Sequence, residues 1–257
     1  MNKIYLATKL IGDTYSKQII DQNEDITLWL VHKLKHTFGV AHDIKNILFT
    51  EKDLLNFLSD EEKELVELSA ILHDLGRFYQ HRDGQRLSNE EFDHGTEAVK
   101  ILKDINEFNN PILLFAVEEH NKLSIRYDNP YYLQLNEHDK KVADIVAKLL
   151  RDADKLENIK DVVYHGVSRH LYKFPKLEPL SEKVKSAIKN KKSILYADLK
   201  TSSDRVADFL AWIYDVNYET TKNIIKDLNF IEKGIEVAKL SGASEEDCQL
   251  LREYIRF

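Results

Sequence analysis

One cysteine in 257 residues, Cys248, excludes a disulfide framework and any cysteine-based zinc finger. Eight glycines and four prolines, where average usage gives roughly 18 and 13, leave too little turn chemistry for an all-β fold. Long apolar runs are missing too. The stretch 112–117 is among the longest and falls far short of a bilayer span, and residues 1–20 hold no apolar block of signal-peptide length. Positive charge is not in surplus: 37 Lys and Arg face 44 Asp and Glu, a net charge of −7. That argues against a general nucleic-acid binder, although a local cation cluster can still serve an anionic small molecule in one cleft. The expectation is a soluble, cytoplasmic, helix-rich protein with neither a membrane nor a nucleic acid as partner.

The apolar residues recur at helical spacing. Residues 25–46 carry Leu28, Val31, Leu34, Phe38, Ala41 and Ile44. Ser59 and Glu62 form a capping-box pattern, and the helix they open runs through Leu65, Leu68 and Leu72 to a stop at Gly76. A third helix is expected after Ser88, and a fourth from Pro111 towards His120. The polar stretch 121–137 reads as a long loop, 140–162 as the longest helix, and 164–182 as irregular. Further helices are expected near 183–190, over 204–236 with one break around Asn217, and over 245–256. The fold class is therefore all-α, with a main domain over 1–180 and a C-terminal helical extension over 181–257 packed on it.

Within "SAILHDLGRF" an apolar helix face runs into His73 and Asp74. A buried carboxylate is not tolerated without a partner, so a cation or a salt bridge must balance Asp74. A plain His–Asp hydrogen bond at a helix end and a metal site both satisfy that requirement. Four more segments bear on the choice: His36 in "KHTFGVAHDI", His94 in "FDHGTEA", His120 in "AVEEHNK" and Asp154 in "LLRDADKLEN".

With these five segments in order, the chain resembles the HD-domain superfamily of metal-dependent phosphohydrolases over roughly residues 25–165. The resemblance implies a helical bundle in which His36, His73, Asp74 and Asp154 hold a divalent transition metal (Mn, Fe, Co, Ni or Zn), with Asp74 as the central ligand. Imidazole and carboxylate donors suit such ions, which acidify water and draw charge from a phosphoryl oxygen. Asp152 competes with Asp154, because two residues apart on a helix they point about 200° from each other; the family's motif selects Asp154 and leaves Asp152 as a surface or supporting carboxylate. His94 and His120 either complete a second metal position or contact phosphate. Some two-metal members carry a histidine pair where this chain has His120 and Asn121. His32 and His42 read as surface residues, and His165 and His170 fall outside the motif.

Lys155, Arg77 and Lys122, with Arg126 nearby, are the candidate phosphate-binding cations. Lys155 and Arg77 join Asp74 as candidate catalytic residues. The chain lacks the Gly-Tyr-Pro signature of the cyclic-dinucleotide phosphodiesterases, and has "LGRFYQ" where alarmone hydrolases place an acidic pair. The implied activity is hydrolysis of a phosphate ester, in a nucleotide or another small phosphorylated molecule. The alternative is a non-catalytic metal- or nucleotide-binding regulatory module.

Overall fold

The computed structural model describes residues 2–88, 91–165 and 174–257. The described chain is all-α apart from one two-stranded hairpin. It divides into two compact units, Met1–Asp154 and Lys155–Phe257, with the division inside the eighth helix. No helix among the described residues is long and apolar enough to cross a membrane.

The first unit contains α1 (Lys3–Gln18), α2 (Glu24–Thr50), α3 (Lys52–Phe57), α4 (Asp60–Leu72), α5 (His94–Leu102), α6 (Pro111–Glu119), α7 (Pro130–Leu133) and the first part of α8 (Glu137–His165). Its helix starts follow the capping rules. Ser59 and Glu62 close the expected capping box on α4. Asn110 accepts from the amides of Ile112 and Leu113 ahead of Pro111, the first residue of α6. Asn136 Oδ1 accepts the amide of Asp139 at the start of α8.

From Ile112 to Val117, α6 is buried on every side, as befits a helix at the centre of a bundle. It packs on α4 and α5, while α1 and α2 pack on α4. Each large apolar side chain so buried contributes about 1.5–3 kcal/mol.

The hairpin pairs His81 with Arg86 and Arg82 with Gln85. Its two-residue turn needs positive φ at both positions, and Asp83 and Gly84 have φ of 52° and 72°. The 3-10 turn Leu75–Tyr79 lies against the start of α5 so closely that a Cβ at Gly76 would meet the His94 carbonyl oxygen at 2.1 Å.

Among its described residues the second unit holds the end of α8 and five further helices: α9 (Glu182–Lys189), α10 (Ser202–Ala211), α11 (Glu219–Asp227), α12 (Phe230–Leu240) and α13 (Glu245–Tyr254). Residues 174–181 form no helix. They are held by side chains instead: Ser202 and Ser203 donate to the carbonyls of Phe174 and Glu178, and Asp204 and Asp247 accept from the amides of Ser181 and Leu180.

Several expectations need correction. Helices α1 and α3 were not foreseen, and α7 breaks the stretch 121–137 read as a long loop. The pattern over 204–236 is broken twice: by the turn at 212–218 as expected, and again at Asn229, whose φ is 51°. On α2 the apolar set was only partly on the inner face: Ile44 is buried and Val31, Leu34 and Ala41 are half-buried. Leu28 and Phe38 are exposed, while Ile26, Leu30, His36, Thr37, Val40 and Asp43 face inward. His170, with the rest of residues 166–173 in the stretch read as irregular, lies outside the described residues.

Candidate metal centre

Most of the site stands at helix ends. His73 is the C-cap of α4, Asp74 follows it, His94 is the first residue of α5, and His120 is the C-cap of α6. His36 and Asp154 come from the interiors of α2 and α8. All but the partly exposed Asp154 are buried.

Asp74 lies at the centre, and its two oxygens face different partners. Around Oδ2 are His36 Nε2 at 3.8 Å, His73 Nε2 at 3.7 Å and Lys33 Nζ at 3.0 Å. Around Oδ1 are His94 Nε2 at 3.4 Å, His120 Nε2 at 3.7 Å and Arg77 Nε at 3.4 Å. Two groups of donor atoms are close enough to share an ion, His36–His73–Asp74 and Asp74–His94–His120, each within 4.8 Å. Asp154 Oδ1 lies 2.9 Å from His36 Nε2 and extends the first group.

The ring orientations are set locally. His73 Nδ1–H donates to the carbonyl of Ala70 at 2.7 Å, and His120 Nδ1–H to that of Val117 at 2.6 Å. In a neutral imidazole the other nitrogen then carries the lone pair, so His73 Nε2 turns a lone pair toward Asp74. His73 Nε2 is buried and has no hydrogen-bond partner. An unsatisfied acceptor beside a carboxylate, in an all-nitrogen-and-oxygen donor set, fits a borderline divalent cation.

The electrostatics match that fit. Burial pulls the His73 imidazole down to about 4, against the opposing charge of Asp74. Burial also holds His94 well below its ordinary range, and Arg77 adds to the effect. Both are neutral near pH 7, as ligation requires. Burial alone would push Asp74 up, but Lys33 and the nearby histidines hold its carboxyl well below the usual range. Asp154 behaves alike: burial raises it, and the hydrogen bond and charge of His36 outweigh that. Lys33 is lowered by burial against the pull of Asp74.

The other candidates are placed as follows. Lys122 is paired with Asp93, Lys155 with Asp215 at 2.6 Å, and Arg126 with Glu119 through a two-pronged contact. Arg77 touches Asp74 and also donates to Gln80 Oε1 at 2.6 Å. Asp152 is fully buried rather than on the surface. His32 is half-buried, its ring centre 6.3 Å from that of His36, so it is no free surface residue. His42 is exposed and bonded to Asn46, and His165 is exposed at the end of α8.

Four supporting residues were missed. Lys33 stands one turn before His36. Arg151, also buried, stands one turn before Asp154 and donates to the carbonyls of Glu119, His120, Lys122 and Leu123. Asp93 accepts from Asn121 Nδ2 at 2.9 Å, and the same Nδ2 lies 3.3 Å from His94 Nδ1. For the first two, the sequence offered only a basic residue three positions ahead of a candidate ligand on the same helix face, which by itself does not separate a buried cation from a solvated one.

Residues 34–159 match the family model of the HD domain. No curated protein and no solved structure matches the chain.

Proposed function

Because residues 34–159 make this chain a member of the HD-domain superfamily of metal-dependent phosphohydrolases, we propose that its histidine–aspartate cluster is the active centre of a hydrolase. The substrate class is a phosphate ester of a nucleotide or another small phosphorylated molecule. His36, His73, Asp74 and Asp154 would hold one divalent transition cation, and Asp74, His94 and His120 a second. The observation that carries this reading is the division of two histidine pairs between the two oxygens of one buried carboxylate. A hydrogen-bonded His–Asp pair with a purely structural role has no need of that arrangement.

Such a cation supplies Lewis-acid polarisation of a phosphoryl oxygen and acidifies water. The protein's own side chains do the rest. Asp74 and Asp154 stay ionised at neutral pH, and the buried His73 and His94 stay neutral, so all four present lone pairs. Lys33 and Arg77 balance the two carboxylates before any ion binds, and every divalent ion then adds two positive charges. The loaded centre attracts a polyanion, which favours a phosphate ester over a neutral ester or amide. Arg77, beside Oδ1 of Asp74, orients the substrate's phosphate. Lys122 and Lys155 would first have to leave Asp93 and Asp215.

The test is metal analysis of the purified protein, followed by phosphate release from a panel of nucleotides and sugar phosphates with added Mn, Fe, Co or Ni. Bound metal with turnover, both lost in Asp74→Ala, is expected. Bound metal without turnover on any substrate points to a binding module, and no metal at all removes the reading.

A further inference from the structure

Lys33 Nζ lies 3.0 Å from Oδ2 of Asp74, nearer than either imidazole nitrogen that faces the same oxygen. Both side chains are withdrawn from solvent, 12% and 3% exposed. Oδ2 is also the oxygen that His36 and His73 face, so an ammonium and a divalent cation compete for the same lone pairs.

We propose that Lys33 is a built-in counter-ion of the centre. It neutralises Asp74 when the His36–His73–Asp74 group carries no metal and withdraws from Oδ2 when a divalent cation enters. Its side chain thereby sets how tightly that group holds the cation. This rests on reading the cluster as a metal centre.

Three physical points support the role. A buried carboxylate without a counter-charge is costly, so the metal-free protein needs a cation at this place. A divalent ion and an ammonium a few ångströms apart repel strongly where water is scarce, so the two do not share the oxygen. Lysine can retract, because it is a point charge on a flexible four-carbon stem. Arg77 differs: its planar guanidinium is anchored to Gln80 as well as to Oδ1. It can stay while Lys33 leaves.

The experiment uses the full chain stripped with chelator and Mn²⁺ as the probe, with calorimetric titration and thermal unfolding in chelator and in Mn²⁺. Lys33→Met should bind Mn²⁺ about 10-fold tighter or more, the size of a lost charge-assisted hydrogen bond. It should also melt below wild type in chelator, and Mn²⁺ should close that gap. Lys33→Arg keeps the charge and should melt near wild type in chelator while binding Mn²⁺ no more tightly. Equal or weaker Mn²⁺ binding by Lys33→Met, or an unchanged melt in chelator, overturns the role of Lys33 alone. A wild type that takes up no Mn²⁺, Fe²⁺, Co²⁺ or Ni²⁺ overturns the underlying metal-centre reading instead. Should Lys33→Met fail to fold in both media, Lys33→Gln is judged by the same two measurements.

Discussion

Replacing Gly76 by alanine would disturb the centre without touching any proposed ligand. The added Cβ would lie 2.1 Å from the His94 carbonyl oxygen, 2.9 Å from the His94 carbonyl carbon and 3.0 Å from the Ala98 amide nitrogen. All three are backbone atoms of the first turns of α5, so no side chain can rotate away. An ordinary carbon–oxygen contact requires a separation of roughly 1 Å more, so the 3-10 turn and α5 must part by about that much. His94 then moves away from Asp74 Oδ1, now at 3.4 Å, and from His120 Nε2, now at 3.1 Å. Overpacking of this kind costs about 1–3 kcal/mol, or roughly 3–10 °C in the melting midpoint of a chain this size. Circular dichroism would read the melt, and metal analysis the content of the His94–His120 group, which should fall. Gly12→Ala is the control. Nothing lies within 4 Å of its added Cβ, and in the interior of α1 it should raise stability by up to about 1 kcal/mol. If Gly76→Ala melts with wild type and keeps its full metal content, the close approach does not position His94 and the reasoning fails.

Three further outcomes are expected. Asp154→Ala should lose metal and activity with the fold intact, whereas Asp152→Ala should chiefly lower the melting midpoint, since its carboxylate is buried; a reversed pattern would exchange their roles. His94→Ala and His120→Ala should each reduce bound metal from about two ions to about one, read by elemental analysis. An unchanged count with a raised KM would make them phosphate contacts. In the second unit, burial would raise Asp247, but hydrogen bonds from Ser244, Leu180 and Lys185 hold it below its ordinary value of 3.8. A carboxyl lowered in the folded state stabilises above its unfolded pKa, and that stability is lost as pH falls through the folded pKa. Asp247→Asn should therefore cost about 1–3 kcal/mol at pH 7, and the deficit relative to wild type should shrink below pH 3.8. A deficit independent of pH would contradict the charge-based account.

How far the sequence could be read depended on whether function had altered the local pattern. The caps on α4 and α6 and the long run of α8 were legible, because Ser59 with Glu62, and Pro111, act through their own backbone neighbours. The face of α2 was legible only in part. His36, Thr37 and Asp43 occupy inward positions, so an apolar periodicity count rotates toward Leu28 and Phe38, which are exposed. On the helix that carries the first candidate ligand, two of the six apolar residues named, Leu28 and Phe38, thus lie on the outer face, while Ile44 is in the core. Helix α1 was missed because only Ala7, Ile11 and Thr14 are buried on it, too sparse a stripe to stand out. The dyad and its four companion segments could be picked out one by one, but Lys33 and Arg151 could not: a lone basic residue on a helix is ordinarily solvated, and only tertiary contact distinguishes these two.

His73 and His120 are each tethered by Nδ1 to a carbonyl three residues back in their own helix. The rotational freedom of both rings is lost when α4 and α6 form, before any ligand arrives. An arriving cation meets donors that need little further ordering, and the entropic penalty of capture is reduced accordingly. The same tether limits adaptability. Neither ring could turn to follow an ion of another size without breaking a hydrogen bond inside its own helix, so in the proposed metal centre discrimination among cations of similar charge would rest on the ends of two helices.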